Sequence, residues 1–256
     1  MLVAATVTVV TASAQGPQER SYQQMSGTER SGFVAAQARR IAQEISGREY
    51  EFTPAFEEDI QQALNSFTRR LGPSAKRDVR VVFERGRTHA PTIASAFRAR
   101  NLSSVYGLYI ALIESEYVNI ESPNVMGAMG MFQFLPRTGE RYGLTVEELL
   151  DVSKSADAAA RYISDNLDTF KDDPMKEALA ILSYNRGENK TRRDLNLLLN
   201  DQNRRCSICA LNADRSKLDD TFRRESVYYV PMFFAAAIIG ENPQAFGLQM
   251  QPLSSY

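Results

Sequence analysis

A chain of 256 residues suits one large domain, or a small domain with a helical extension. Hydrophobic residues make up 43% and charged residues 24%, and 30 Lys+Arg against 31 Asp+Glu leave a formal charge of −1. No polyelectrolyte character therefore points to nucleic acid. His89, Cys206 and Cys209 are the whole supply of histidine and cysteine, too thin for a structural zinc site of four such ligands. Any hydrolytic or lyase chemistry must lean on carboxylates and tyrosines.

Residues 1–14 carry no charged side chain and end in Ala12-Ser13-Ala14, the small-x-small pattern that a signal peptidase reads. The stretch is too short to span a bilayer, and a basic start is missing. We read it as a signal peptide, with the mature chain beginning near Gln15 and working in the periplasm or cell envelope.

Nearly everything after Gly27 reads as helix. Val34, Ala38, Ile41 and Ile45 share one helical face, and Gly47 stands at the C-cap position. Thr53 as N-cap and Pro54 at the first helical position open the next helix, whose stripe is Phe56, Ile60, Leu64, Phe67 and Leu71. Gly72-Pro73 is its predicted stop. A helix through Val79, Val82 and Phe83 is predicted to end near Gly86, and another to start at Pro91 with Ile93 and Phe97. From Ser103, the pattern Val105, Leu108, Tyr109, Leu112 buries one face and delivers Glu114 near a helix C-terminus. Further helices are predicted at 136–142, 155–170, 174–185, 188–199 and about 225–240. Alternating strand-like runs are scarce, so the fold class is all-α.

Charge is uneven. Residues 69–100 hold nine Lys/Arg against two acids, and residues 140–177 hold ten acids against five bases. The basic stretch is a candidate contact for an anionic polymer, although solvated helix faces explain such runs more often.

Chemistry concentrates in four places. Glu114 directly follows Ala111-Leu112-Ile113, so its carboxyl sits at the edge of an apolar patch that disfavours the ionised form, as a general acid requires. Gly127-Ala128-Met129-Gly130 lets backbone approach a ligand closely. Gln133, between Phe132 and Phe134, offers donors and an acceptor between apolar walls, a common way to hold a sugar hydroxyl or acetamido group. Tyr184-Asn185 stands where an apolar helix meets Gly187. Separately, Cys206-Ser207-Ile208-Cys209 lacks the βαβ surroundings of a redox motif. In an exported chain it reads as a disulfide that staples a small surface loop.

The order of these pieces carries a resemblance. Glu114-Ser115, then Gly127-Ala128-x-Gly130-x-x-Gln133, then Tyr184-Asn185-x-Gly187, then Glu225 with Tyr229-Val230-Pro231, resembles the soluble-lytic-transglycosylase-like family, most nearly its membrane-bound lytic murein transglycosylase D type. Gln133-Phe134-Leu135-Pro136-x-Thr138-Gly139 and the tail Asn242-Pro243 … Phe246-Gly247-Leu248 add to it. Three departures stand out. The stretch from Glu114 to Gly127 is one residue longer than usual, with Asn124 where a serine is expected and Ser122 nearby. Phe132 replaces a frequent tryptophan. Ser183, Arg186 and Ser226 replace residues around the last two motifs.

The resemblance implies a goose-type lysozyme-like helical domain over 90–248, preceded by a helical extension over 15–89 and followed by a tail over 249–256. It implies cleavage of peptidoglycan glycan strands between N-acetylmuramic acid and N-acetylglucosamine, closing a 1,6-anhydro ring, with no metal or organic cofactor. Wall or peripheral membrane association fits the same picture, with no nucleic-acid partner. Glu114 matches the sole catalytic acid/base and Tyr184 a catalytic partner. Ser115, Met131, Gln133, Asn185, Glu225 and Tyr229 match substrate-contacting positions. Two alternatives remain open: a goose-type hydrolase in which Glu121 supplies a second acid, and a non-catalytic wall-binding protein on the same fold. Glu116 is the weaker second acid, since it points about 200° around the helix from Glu114.

Overall fold

The computed structural model describes residues 20–72, 78–199 and 204–256; the expected signal peptide lies outside them. The fold is all-α and lysozyme-like, with no strand among the described residues beyond one antiparallel bridge between Met129 and Phe134. No helix among the described residues is long and apolar enough to cross a membrane.

Helix α1 (Gly27–Ser46) opens with a capping box, Ser26 with Glu29, and closes on Gly47 at φ +73°, the left-handed geometry that glycine adopts without cost. Helix α2 (Pro54–Thr68) has Thr53 as its N-cap and buries Phe56, Ile60, Leu64 and Phe67. It ends before Leu71, which lies past the helix and is only partly buried.

Helix α3 (Val79–Arg98) runs unbroken where two helices were expected. The apolar stripe explains it, because Val79, Val82, Phe83, Gly86, Ala90, Ile93 and Phe97 keep helical spacing through both supposed breakers. A Cβ at Gly86 would strike the ring of Tyr117, so that glycine marks close packing and no helix end. Pro91 deprives the carbonyl of Arg87 of its donor, but both residues are exposed, and water can serve the carbonyl.

Helix α4 (Ser104–Ser115) is buried on every side from Ser104 to Leu112. It is a central helix, where an amphipathic one was expected. Helices α5 (Pro136–Arg141), α6 (Val152–Thr169), α7 (Lys176–Arg186), α8 (Glu188–Leu198) and α9 (Ser207–Ala213) follow, with α6 against α3 and α4, α7 on α6, α8 on α7, and α9 on α8 and α2. A π turn, Phe222–Ser226, leads into α10 (Val227–Glu241), which is also buried nearly all round. Helix α10 packs on α2, α4 and α1.

One hydrophobic core therefore runs from Tyr22 to Leu253. The boundary expected between residues 89 and 90 falls inside α3. The tail is likewise packed: Leu253 is buried, and Ser254 donates through its hydroxyl to Glu241 Oε2 at 2.5 Å. Much of the basic stretch is engaged in ion pairs, Arg70 with Glu116 at 2.7 Å, Arg80 with Asp78 at 2.6 Å and Arg100 with Asp157 at 2.7 Å.

Candidate active site

Helix α4 ends at the site. Its burial keeps water away from the last turn, so Glu114 presents a partly buried carboxyl at the helix end. The backbone turns away at once, since Glu116 and Tyr117 both take positive φ, 52° and 58°. Burial pushes Glu114 up to about 7, opposed only by the hydroxyl of Tyr229, which donates to Oε1 at 2.5 Å. Among the described residues no other carboxylate acts on it. Tyr229 comes from the first turn of α10 and is buried.

The glycine stretch folds into a tight hairpin closed by the Met129–Phe134 bridge. Gly130 has φ +75°, and any side chain there would collide with the carbonyl of Leu149, so only glycine fits. Two hydroxyls tether the hairpin. Ser115 Oγ lies 2.8 Å from the carbonyl of Met131 and 3.0 Å from that of Ala111. Tyr184 donates to the carbonyl of Phe132 at 2.9 Å. The end of α4, the hairpin and the end of α7 are thus drawn together around Glu114.

Several expected roles change. Tyr229, expected at a substrate-contacting position, donates directly to Glu114, while Tyr184, the expected catalytic partner, donates to the carbonyl of Phe132. Tyr184 still feels Glu114, whose charge, after burial itself, pushes the phenol further up. Ser115 is buried and positions the hairpin, so it is not open to a substrate. Met131 is fully buried and cannot line a cleft. Phe132 and Phe134 also turn into the core, so they are not walls around Gln133. Gln133 stays partly exposed at φ +48° and donates through Nε2 to the carbonyl of Gly130 at 2.9 Å.

Asn185 is exposed and accepts from Ser226 Oγ at 2.8 Å, which joins the end of α7 to the π turn; Glu225 is exposed beside it. Arg186, a departure from the family pattern, is buried between Asp194 at 2.9 Å and Asp219 at 2.7 Å and lies over the ring of Phe222. It anchors the π turn, and nothing of it faces a ligand. Of the two candidate second acids, Glu116 is tied to Arg70 at 2.7 Å, and Glu121 is exposed on the loop. Among the described residues no group of three His, Cys, Asp or Glu is placed to hold a metal ion. Cys206 and Cys209 are bonded, with Cα atoms 5.2 Å apart. Both are buried at the start of α9, away from the surface loop expected for them.

Residues 91–204 match the family model of the transglycosylase SLT domain. No curated protein matches the chain. The SLT match supports the lytic transglycosylase and lysozyme-like family, and with it an enzyme of the lyase or glycosidase kind acting on peptidoglycan outside the cytoplasm. The matched segment carries Glu114, Gln133 and Tyr184; Tyr229 reaches the same site from beyond it.

Proposed function

We propose that the protein is an exported lytic transglycosylase, of the membrane-bound lytic murein transglycosylase D type, with Glu114 as its single acid/base. The observation that carries this reading is the carboxyl of Glu114, held near 7 by burial and bonded to one tyrosine, with no second carboxylate among the described residues acting on it. Two-carboxylate glycosidases set their acids roughly 5–9 Å apart; a lone acid suits a reaction that needs no activated water.

Near neutral pH a large share of Glu114 is protonated. Tyr229 donates to Oε1, which keeps the acidic proton on Oε2, free to pass to the glycosidic oxygen between N-acetylmuramic acid and N-acetylglucosamine. The substrate's own acetamido group stabilises the charge left at the anomeric carbon. Glu114, now a carboxylate, takes the proton from the sugar's 6-hydroxyl as that oxygen closes the 1,6-anhydro ring. The donated bond from Tyr229 strengthens as Glu114 becomes anionic, so it favours the charged intermediate. Gln133, partly exposed on the hairpin, and Asn185 and Glu225, exposed at the end of α7 and on the π turn, contact the glycan.

The test is the mass of the fragments released from purified sacculi. Anhydro products lack the one water that hydrolysis adds. Products carrying that water, with labelled oxygen from solvent at the reducing end, would replace the lyase reading with a hydrolase. Release of nothing by wild type, with sacculi still bound, would favour the wall-binding alternative.

A further inference from the structure

The loop before Gly127 is where the sequence departs most from the pattern it resembles, and Asn124 organises it. Its side-chain Oδ1 accepts from the backbone N–H of Met126 at 2.9 Å and of Ala128 at 3.1 Å. Its backbone N–H donates to the carbonyl of Ala128 at 2.9 Å, and its carbonyl accepts from Gly127 at 2.8 Å. Oδ1 thus serves the turn. The other end of the amide serves something else, since Nδ2 donates to Gln133 Oε1 at 3.4 Å.

A glutamine amide is nearly symmetrical in shape but not in chemistry, and a half-turn of its end exchanges acceptor for donors. Gln133 is pinned from both sides. The carbonyl of Gly130, which also accepts from the backbone N–H of Gln133 at 3.4 Å, takes Nε2 at 2.9 Å and would repel an oxygen there, while Asn124 Nδ2 faces Oε1 and would repel an N–H. Only one orientation satisfies both. In it, Nε2 keeps a second N–H and Oε1 a second lone pair, the two kinds of group that an acetamido group, itself one N–H and one C=O, would match.

We propose that Asn124 is a positioning residue that locks the amide of Gln133 in the orientation needed to hold an N-acetylated sugar. This rests on the reading of Gln133 as a glycan contact. Asn124 Oδ1 can be kept while Nδ2 is removed: Asn124→Asp is isosteric, retains the acceptor that holds the turn, and loses the donor to Gln133. Binding of N-acetylglucosamine oligomers is measured by calorimetry for wild type, Asn124→Asp, Gln133→Ala and the double variant, beside KM and kcat on sacculi. Asn124→Asp should weaken oligomer binding and raise KM by about tenfold, the size of one hydrogen bond, with kcat and melting temperature little changed. On the Gln133→Ala background the same substitution should add almost nothing.

Wild-type affinity in Asn124→Asp would overturn the proposal, as would losses that add in the double variant. A defect in Asn124→Ala that Asn124→Asp restores fully would assign Asn124 to the turn alone and overturn it too. Wild type that binds no N-acetylglucosamine oligomer removes its basis. Oligomer binding does not depend on turnover. A protein that binds as described but releases no anhydro product would therefore defeat the proposed reaction and leave the positioning role standing.

Discussion

Glu114 carries opposite consequences for stability and for chemistry. Its carboxyl has an ordinary value of 4.5 and is raised to about 7 in the folded chain. The folded state therefore binds more protons than the unfolded state between these values. Stability from this group is full below about pH 4.5, falls as pH rises through the window, and stays reduced above 7. Glu114→Gln, which has nothing to ionise, should match wild type at pH 4 and exceed it at pH 8 by up to about 3 kcal/mol. Thermal melts at the two pH values check this, and a gain of equal size at both would contradict the cause assigned. The same variant should lose at least a hundredfold in turnover, because an amide cannot donate and then accept a proton. Wild-type kcat/KM should decline above about pH 7 as the acid form disappears. Tyr229→Phe removes the bond that favours the ionised form, so the declining limb should move to higher pH while turnover drops roughly tenfold to a hundredfold. An unmoved limb in a pH–rate profile would separate Tyr229 from the acid. Glu114 stood out in the sequence through the order of the motifs around it, together with the three apolar residues that directly precede it. That Tyr229 belongs to the site came with the resemblance, but its bond to Glu114 did not, since the two lie 115 positions apart and which tyrosine reaches the acid depends on how α7 and α10 pack.

Among the elements, the hairpin shows how motif residues can be named correctly and assigned the wrong contacts. Ser115 and Tyr184 belong to the site, but their hydroxyls lie on the carbonyls of Met131 and Phe132. Sequence spacing reveals a hydroxyl near the site; it does not reveal whether backbone or ligand takes the hydrogen. Tyr184→Phe leaves the carbonyl of Phe132 without its donor in a buried place, which should cost about 1–3 kcal/mol. Turnover should fall through a displaced Gln133, so KM should rise along with any loss in kcat. Unchanged stability with a pure kcat loss would instead return Tyr184 to the direct role expected from the resemblance. Helix α3 went astray for a related reason. Gly86 and Pro91 are read as breakers from local propensity, while the stripe that spans them is held by tertiary packing, down to the Tyr117 ring lying against Gly86. The Cys206–Cys209 pair stands at the start of α9 against α2, where Cys209 Sγ accepts from the backbone N–H of Thr53 at 3.4 Å. Replacing both cysteines by serine should lower stability by about 2 kcal/mol, from the chain entropy of so small a loop. Turnover should not change, and an activity loss on mild reduction would tie the bridge to the site.

At the scale of the whole molecule, the acid and its tyrosine are held in register by helices that lie outside the matched segment. Tyr229 stands on α10, which rests on α1 and α2 as well as on α4. Phe234 of α10 packs on Phe52 with ring centres 5.2 Å apart, and Phe52 stacks on Phe56 at the same distance. The all-α class was legible from helical periodicity. The dependence between its two ends was not, because α1, α2 and α10 are each legible alone while their contact is a property of the folded chain. A fragment of residues 78–256 keeps α3 whole and retains every residue proposed for chemistry. It also strips α10 of the surfaces that cover Phe234, and of partners such as Ile41, Phe56, Ile60 and Leu64, all fully or almost fully buried. Each large apolar side chain uncovered costs roughly 1.5–3 kcal/mol, against a total stability of roughly 5–15 kcal/mol for a domain. Losing several at once exceeds that margin. The fragment should therefore keep its far-ultraviolet helical signal, lose near-ultraviolet dichroism, bind a hydrophobic dye and release no product from sacculi. Adding back residues 20–72 as a separate chain should restore dichroism and turnover together, since the missing contacts are noncovalent. Cooperative unfolding and wild-type turnover of 78–256 alone would mean that α4 and the hairpin suffice to hold Tyr229 against Glu114, with the N-terminal helices a dispensable extension.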